Sequence, residues 1–175
     1  FYPMLEKCKS CQLKEIWVPI LEKAAMIIWL SHLHRESWLW YAPKLEKIPY
    51  AVVPSPVSIS RFFDMKIERK GAIAVESLFS FKGRAHVLKW AAEHPEIEVD
   101  FVGGNESPGA PLPDNCRDMG MVANDTLNEL YNRHEIFLHL PQSPSPFDRT
   151  TVEAYMAGCK IIGNKLIGAL SYPWF

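Results

Sequence analysis

Lys82 and Glu153 are the residues best placed by type and context to handle an anion. Lys82 ends "SFK" before Gly83, and Glu153 sits one turn inside a short helix that follows "SPSPFDR" (143–149). A lysine offers a mobile point charge to a phosphate, and the glycine after it lets backbone approach closely. A helix start exposes unpaired N–H groups and the positive end of a dipole, which also suits an anion. Thr150 and Thr151 stand at that start, just behind Phe147, Asp148 and Arg149. An account without any ligand fits equally well. Thr150-Thr151-Val152-Glu153 matches a capping box, Asp148 matches an N-cap, and Lys82 alone matches a solvated surface lysine.

Other reactive types carry less. Cys8-Lys-Ser-Cys11 has the spacing of a zinc or redox pair, but no second ligand pair follows, and Cys116 and Cys159 stand alone. His32 and His34 have metal-like spacing on a strand, without a third ligand; no metal site is assigned. His139 reads as a packed strand-end histidine. Gly103-Gly104 closes a strand without making a dinucleotide fingerprint, so a turn role suffices for it.

The elements that must position these residues alternate from residue 72 onward. Strands are expected at "AIAVESL" (72–78), "IEVDFVGG" (97–104), "CRDMGMV" (116–122), "IFLHL" (136–140) and "KIIGN" (160–164). Helices are expected at 82–94, with Ala85, Leu88, Ala91 and Ala92 on one face, at 124–134, and at about 149–158 with Gly158 as its stop. Such alternation implies right-handed crossovers and an α/β, doubly wound, mostly parallel sheet. Ligands of such sheets lie beyond the carboxyl ends of the strands, where Lys82–Gly83, Gly103, Met121–Val122 and the 141–151 loop all fall.

Residues 1–67 differ. "EIWVPILEKAA" reads as a helix, "MIIWLS" as a buried strand, "RESWLWYAPKL" as a Trp-rich helix and "YAVVPSPV" as a strand entering a Pro-rich connection. Too few strands occur for a sheet of its own, so 1–67 is expected to be the end of a preceding domain and its connection, with 68–175 a second, C-terminally incomplete domain.

Composition sets the remaining bounds. With 175 residues, 48% hydrophobic, and a net charge of −1, the chain is an ordinary globular one with no electrostatic case for nucleic acid. The longest apolar run, 24–30, is too short to span a bilayer, and no signal peptide is legible. A cytoplasmic location with reduced cysteines is expected. The chain opens on Phe1 rather than methionine and reads as trimmed. The aromatic clusters "WLWY" (38–41) and "SYPWF" (171–175) are read as domain packing, with peripheral membrane contact the other option.

In order and spacing, "SFKGRAHVLKWAAEHPEIEVDFVGG", "VANDTLNELYNRHEIFLHLP" and "SPFDRTTVEAYMAGCKIIGN" resemble the C-terminal, donor-binding domain of family-4 retaining glycosyltransferases. The resemblance runs over about residues 24–170 and implies half of a GT-B fold, two facing Rossmann-like domains. It implies a nucleotide-diphosphate sugar as donor substrate, no metal, and a glycan, lipid or protein acceptor held by a largely missing N-terminal domain. The family's second signature glutamate, a ribose ligand, falls on Glu153. Its first, a donor-sugar ligand separated from the second by seven residues, falls on Ser145. Phe147, Arg149, Thr150 and Thr151 would line the sugar and phosphate, Lys82 and Gly83 the diphosphate, Gly103 the strand end, and Met121 and Val122 the base. The arginine that accompanies the lysine is replaced by Ser77, leaving Arg84 and Arg149 as candidate compensating cations. Both departures remove charge from where a leaving diphosphate develops it. Two other readings stay open: a non-catalytic nucleotide-sugar-binding domain or partner subunit, and a nucleotide-sugar epimerase.

Overall fold

The computed structural model of the chain describes residues 12–76, 80–104 and 111–175. Cys8, Cys11 and Ser77 lie outside the described residues. The chain divides into two compact units that interleave in sequence. The first takes the chain up to Ser55 with Gln142–Asp148 and Lys165–Phe175; the second takes Pro56–Pro141 and Arg149–Asn164.

The first unit contains α1 (Gln12–Leu21), β1 (Ile27–Trp29), α2 (His32–Tyr41) and β2 (Tyr50–Val52). β1 and β2 pair in parallel, Ile27 opposite Tyr50. Val18, Ile27, Trp29, Ala42 and Leu45 form its core, with Trp38, Leu39 and Tyr41 packed against them. Trp40 of the same cluster is exposed. The strand expected to run into Ser31 stops at Trp29, because Ser31 caps α2: its Oγ accepts from the His34 N–H at 3.0 Å. His32 and His34 therefore stand in the first turn of a helix rather than on a strand, so the strand spacing expected for them is not formed.

In the second unit, β3 (Ala72–Glu76) leads through a 3-10 turn, Ser80–Lys82, into α3 (Arg84–Glu93) and β4 (Val99–Gly103). Then come β5 (Cys116–Asp118), α4 (Leu127–Arg133), β6 (Ile136–His139), α5 (Arg149–Met156) and β7 (Lys160–Gly163). The strand order is β5-β4-β3-β6-β7, and every neighbouring pair is parallel. This is the doubly wound α/β fold expected from the alternation.

Both faces of the sheet are covered by helices at its centre, which is why β3, β4 and β6 read as apolar runs, while the edge strand β5 is Cys-Arg-Asp. Alternate residues go to opposite faces. Ile73, Val102 and Phe137 pack with Leu127 and Tyr131 of α4 and Ala154 of α5. Ala72, Ala74, Val99, Phe101 and Leu138 pack with Val87 and Ala91 of α3. The inner face of α3 differs from the expected one: Val87 and Ala91 are buried, Leu88 and Trp90 pack beside them, and Ala85 and Ala92 are exposed. A valine or leucine gains more by leaving water than an alanine, so the larger chains set the helix phase.

α5 ends in a Schellman motif. Gly158 N–H donates to Tyr155 O at 2.9 Å and Cys159 N–H to Ala154 O at 2.9 Å, with Gly158 at φ 94°. A Cβ at Gly158 would also lie 2.7 Å from Arg69 Nη2. Arg69 belongs to a polar knot that holds the connecting segment 62–66. Asn132, fully buried on α4, donates to Phe63 O at 2.9 Å and accepts from Met65 N–H at 2.7 Å and Arg69 Nη2 at 3.1 Å.

Candidate functional site

Because every strand of the five-stranded sheet is parallel, their carboxyl ends share one edge, and the helices that follow β3, β5 and β6 begin towards it. The loops along that edge are tied to one another. Gly83 packs against the Leu140–Pro141 backbone that follows β6, and His86 Nδ1 lies 3.1 Å from Leu140 O. Asn164, just past β7, donates its Nδ2 to Pro141 O at 2.8 Å. Gly103, the last residue of β4, donates its N–H to Gly120 O at 2.8 Å. Arg84, the first residue of α3, places Nη2 3.3 Å from Asp118 Oδ2 at the end of β5.

Lys82 ends the turn Ser80–Lys82 and is half-buried. Gly83 is buried at φ 96°, and a Cβ there would lie 2.0 Å from Leu140 O. The requirement for glycine at this position is thus set by the end of β6. Met121 is 80% exposed, while Val122 packs onto the core beside Leu127.

α5 begins at Arg149, so Asp148 precedes the helix and Thr150 is already its second residue. A capping box with Thr150 as N-cap is therefore not formed. Glu153 is the fifth helical residue and half-buried, Thr151 is fully buried, and Arg149 is exposed.

Ser145 and Phe147 belong to the first unit, and the chain passes into the second between Asp148 and Arg149. Ser145 forms a parallel bridge with Ile167: its N–H donates to Leu166 O at 2.8 Å and its carbonyl accepts from Gly168 N–H at 3.0 Å. The Ser145 hydroxyl donates to Asp148 Oδ2 at 3.2 Å, and Asp148 holds φ 72°. Phe147 is buried edge-on to Tyr172.

Of the two cations considered as compensating, Arg84 is engaged elsewhere. Besides Asp118, its guanidinium lies 4.6 Å over the Phe101 ring. Another charged group sits one residue into β4, towards the amino edge. Asp100 is held by Arg117 in a fork, with Nε at 3.0 Å and Nη2 at 2.7 Å, and His134 Nε2 lies 3.2 Å away. Burial pushes the Cys159 thiol up to about 12, with its Sγ donating to Tyr131 O at 3.1 Å, and burial also raises Cys116. Neither is a poised nucleophile.

Asp118, Asn164 and His86 are the edge residues that sequence reading missed. Asp118 had a legible signal, since Asp-Met-Gly is Asx-turn chemistry. The other two contact backbone oxygens at distances in the chain of 23 and 54 residues, which no local pattern marks.

No protein-family profile matches the chain, and no curated protein matches it in sequence. Solved structures do match. HepE from Anabaena, determined in complex with UDP-glucose, superposes with a TM-score of 0.72 at 17% identity, over 89% of this chain and 49% of its own. Sucrose-phosphate synthase from Thermosynechococcus elongatus gives 0.71 at 18% identity, over 87% and 43%. A glycosyltransferase from Rickettsia africae gives 0.67 at 16% identity, over 91% and 49%. At such identities the likeness is one of fold. The chain spans about half the length of these structures, and its α/β architecture matches half of the GT-B fold that these glycosyltransferases share. Among the described residues, no helix is long and apolar enough to cross a membrane.

Proposed function

We propose that this chain is the donor-binding half of a glycosyltransferase that takes its sugar from a nucleotide-diphosphate donor and transfers it with retention. What carries the reading is the carboxyl edge of the parallel sheet. There the Lys82–Gly83 loop is seated on the end of β6, Arg84 meets the end of β5 ahead of the Met121–Val122 turn, and α5 begins after β6, on a fold shared with a protein crystallised with UDP-glucose. In this reading, Lys82 and the first N–H groups of α5 meet the diphosphate, and Glu153 accepts from the ribose hydroxyls. The backbone near Met121 and Val122 meets the base. During transfer, the bond from the anomeric carbon to the diphosphate oxygen breaks, the acceptor oxygen bonds to that carbon, and the acceptor's proton passes to the departing diphosphate. The protein's part is to hold the leaving charge.

A binding-only domain is the second reading. Ser145 favours it: a serine, whose hydroxyl is given to Asp148, occupies the sequence position where the resemblance places a glutamate.

Calorimetric titration of the chain with UDP, ADP, GDP and UDP-glucose tests the first reading. Lys82→Ala and Glu153→Ala should each weaken the best ligand by about tenfold to a hundredfold, the range of a lost charge-assisted hydrogen bond. No binding by the unaltered chain at millimolar ligand would rule the donor site out. Binding that survives Glu153→Ala would reduce that residue to a structural one. Sugar transfer by the full-length protein, followed with a panel of acceptors, separates a transferase from a binding domain.

A further inference from the structure

The turn after β5 is held by one carboxylate. Asp118 Oδ1 accepts from Gly120 N–H at 2.9 Å, closing an Asx turn, and Oδ2 lies 3.3 Å from Arg84 Nη2. The turn is also stitched to β4: Met119 N–H donates to Phe101 O at 2.8 Å, and Gly120 O accepts from Gly103 N–H at 2.8 Å. Arg84 is fixed in turn by the Phe101 ring beneath it and by its place at the start of α3, two residues after Lys82. Val122 anchors the far side of the turn in the core, and Met121 between them is left 80% exposed.

Beyond the sheet that sets β3, β4 and β5 side by side, Asp118 thus adds a side-chain tie between two of the loops at its carboxyl edge. One follows β3 and carries Lys82; the other follows β5 and presents Met121. The pair is partly shielded, with side-chain exposures of 20% for Arg84 and 31% for Asp118, so its geometry is less screened than that of a surface ion pair. A large apolar side chain held out at the ligand edge of a parallel sheet suits the flat face of a nucleobase.

We propose that Asp118 is a positioning residue for base recognition. Through Arg84 and the Gly120 turn, it sets where Met121 and its neighbouring backbone stand relative to the Lys82 loop. The discrimination among bases therefore depends on Asp118, while affinity for the diphosphate does not. This inference rests on the donor-site reading above.

The test is calorimetric, using the 175-residue chain with UDP, ADP, GDP and inorganic pyrophosphate as probes. Asp118→Ala should shrink the affinity ratio between the best and worst nucleoside diphosphate by about tenfold, while pyrophosphate affinity moves by less than about twofold. Asp118→Asn retains the acceptor for Gly120 N–H and should restore part of the ratio. A thermal melt establishes that each variant is folded, and Asp118→Asn carries the test if the alanine variant is not. An unchanged ratio in a folded variant, or pyrophosphate affinity falling in step with the nucleotides, overturns the proposal. Equal affinity for all three bases in the unaltered chain does so as well. Failure of the unaltered chain to bind any nucleotide is a distinct result, which removes the donor-site reading and this inference together.

Discussion

Gly83 faces the carbonyl of Leu140 so closely that a Cβ on it would lie 2.0 Å from that oxygen and 2.5 Å from the carbonyl carbon. Both atoms are backbone, and the glycine holds φ 96°. The loop after β3 is thereby seated directly on the end of β6.

Gly83→Ala should cost at least about 2 kcal/mol, since a left-handed conformation and a backbone clash act together. Urea unfolding followed by circular dichroism measures it. A loss below about 0.5 kcal/mol would mean that the Lys82 loop shifts freely, and that the seat on Leu140 is unimportant.

From a fully buried position Asn132 donates to Phe63 O and to both the backbone and the side-chain oxygen of Asn128, and accepts from Met65 N–H and Arg69. Asn132→Ala leaves those groups without it and should destabilise by about 2–4 kcal/mol. Glu129→Ala, which removes an exposed partner of Arg133, should change stability by less than about 1 kcal/mol. Equal losses in the two variants would refute the anchoring role of Asn132.

Among the described residues, Asp64 and His34 carry shifts that link stability to acid. Hydrogen bonds from the Lys66 side chain and backbone, with Arg69 nearby, hold the Asp64 carboxyl down at about 2. The unfolded chain takes up this proton near 3.8, so the contribution is fully present above that value and is lost as pH falls towards 2. Burial lowers His34, whose Nε2 faces the Trp38 indole N–H at 3.2 Å. The unfolded chain binds that proton first, so its contribution is complete above about 6.5 and declines as pH falls below it. Urea midpoints between pH 7 and 2 should therefore drop in two stages. Asp64→Asn should flatten the lower stage only; no change in that stage would contradict the assignment.

Cys159 should resist iodoacetamide in the folded chain at pH 8, because its thiol is buried and raised to about 12, and should react once urea unfolds the protein. Peptide mapping by mass spectrometry reads the Cys159 peptide directly. Rapid native labelling would mean that α5 and β7 open locally.

Much of this was readable along the chain. Short apolar runs specify buried strands, and β3, β4, β6 and β7 stand where those runs are; β5, Cys-Arg-Asp at the sheet edge, carries no such run and is shorter than the strand expected at 116–122. Gly158 was legible as a helix stop because the left-handed position of a Schellman motif favours glycine. Helix phase was less legible at α3, where alanines carry too little apolar surface to mark a face against Val87.

Within the candidate site, the sequence by itself determined the residue types and their order: a lysine before a glycine, a threonine-rich helix start and a glutamate within it. Tertiary structure decided what each is occupied with. It gave Arg84 to Asp118, set Gly83 against Leu140, and paired Ser145 with Ile167 and Asp148 in the first unit while Glu153 stands in the second. Local pattern follows from steric and solvation preferences over a few residues. The partner of a charge 34 positions away is selected only when the sheet brings β5 beside β4 and leaves that carboxylate within reach of α3.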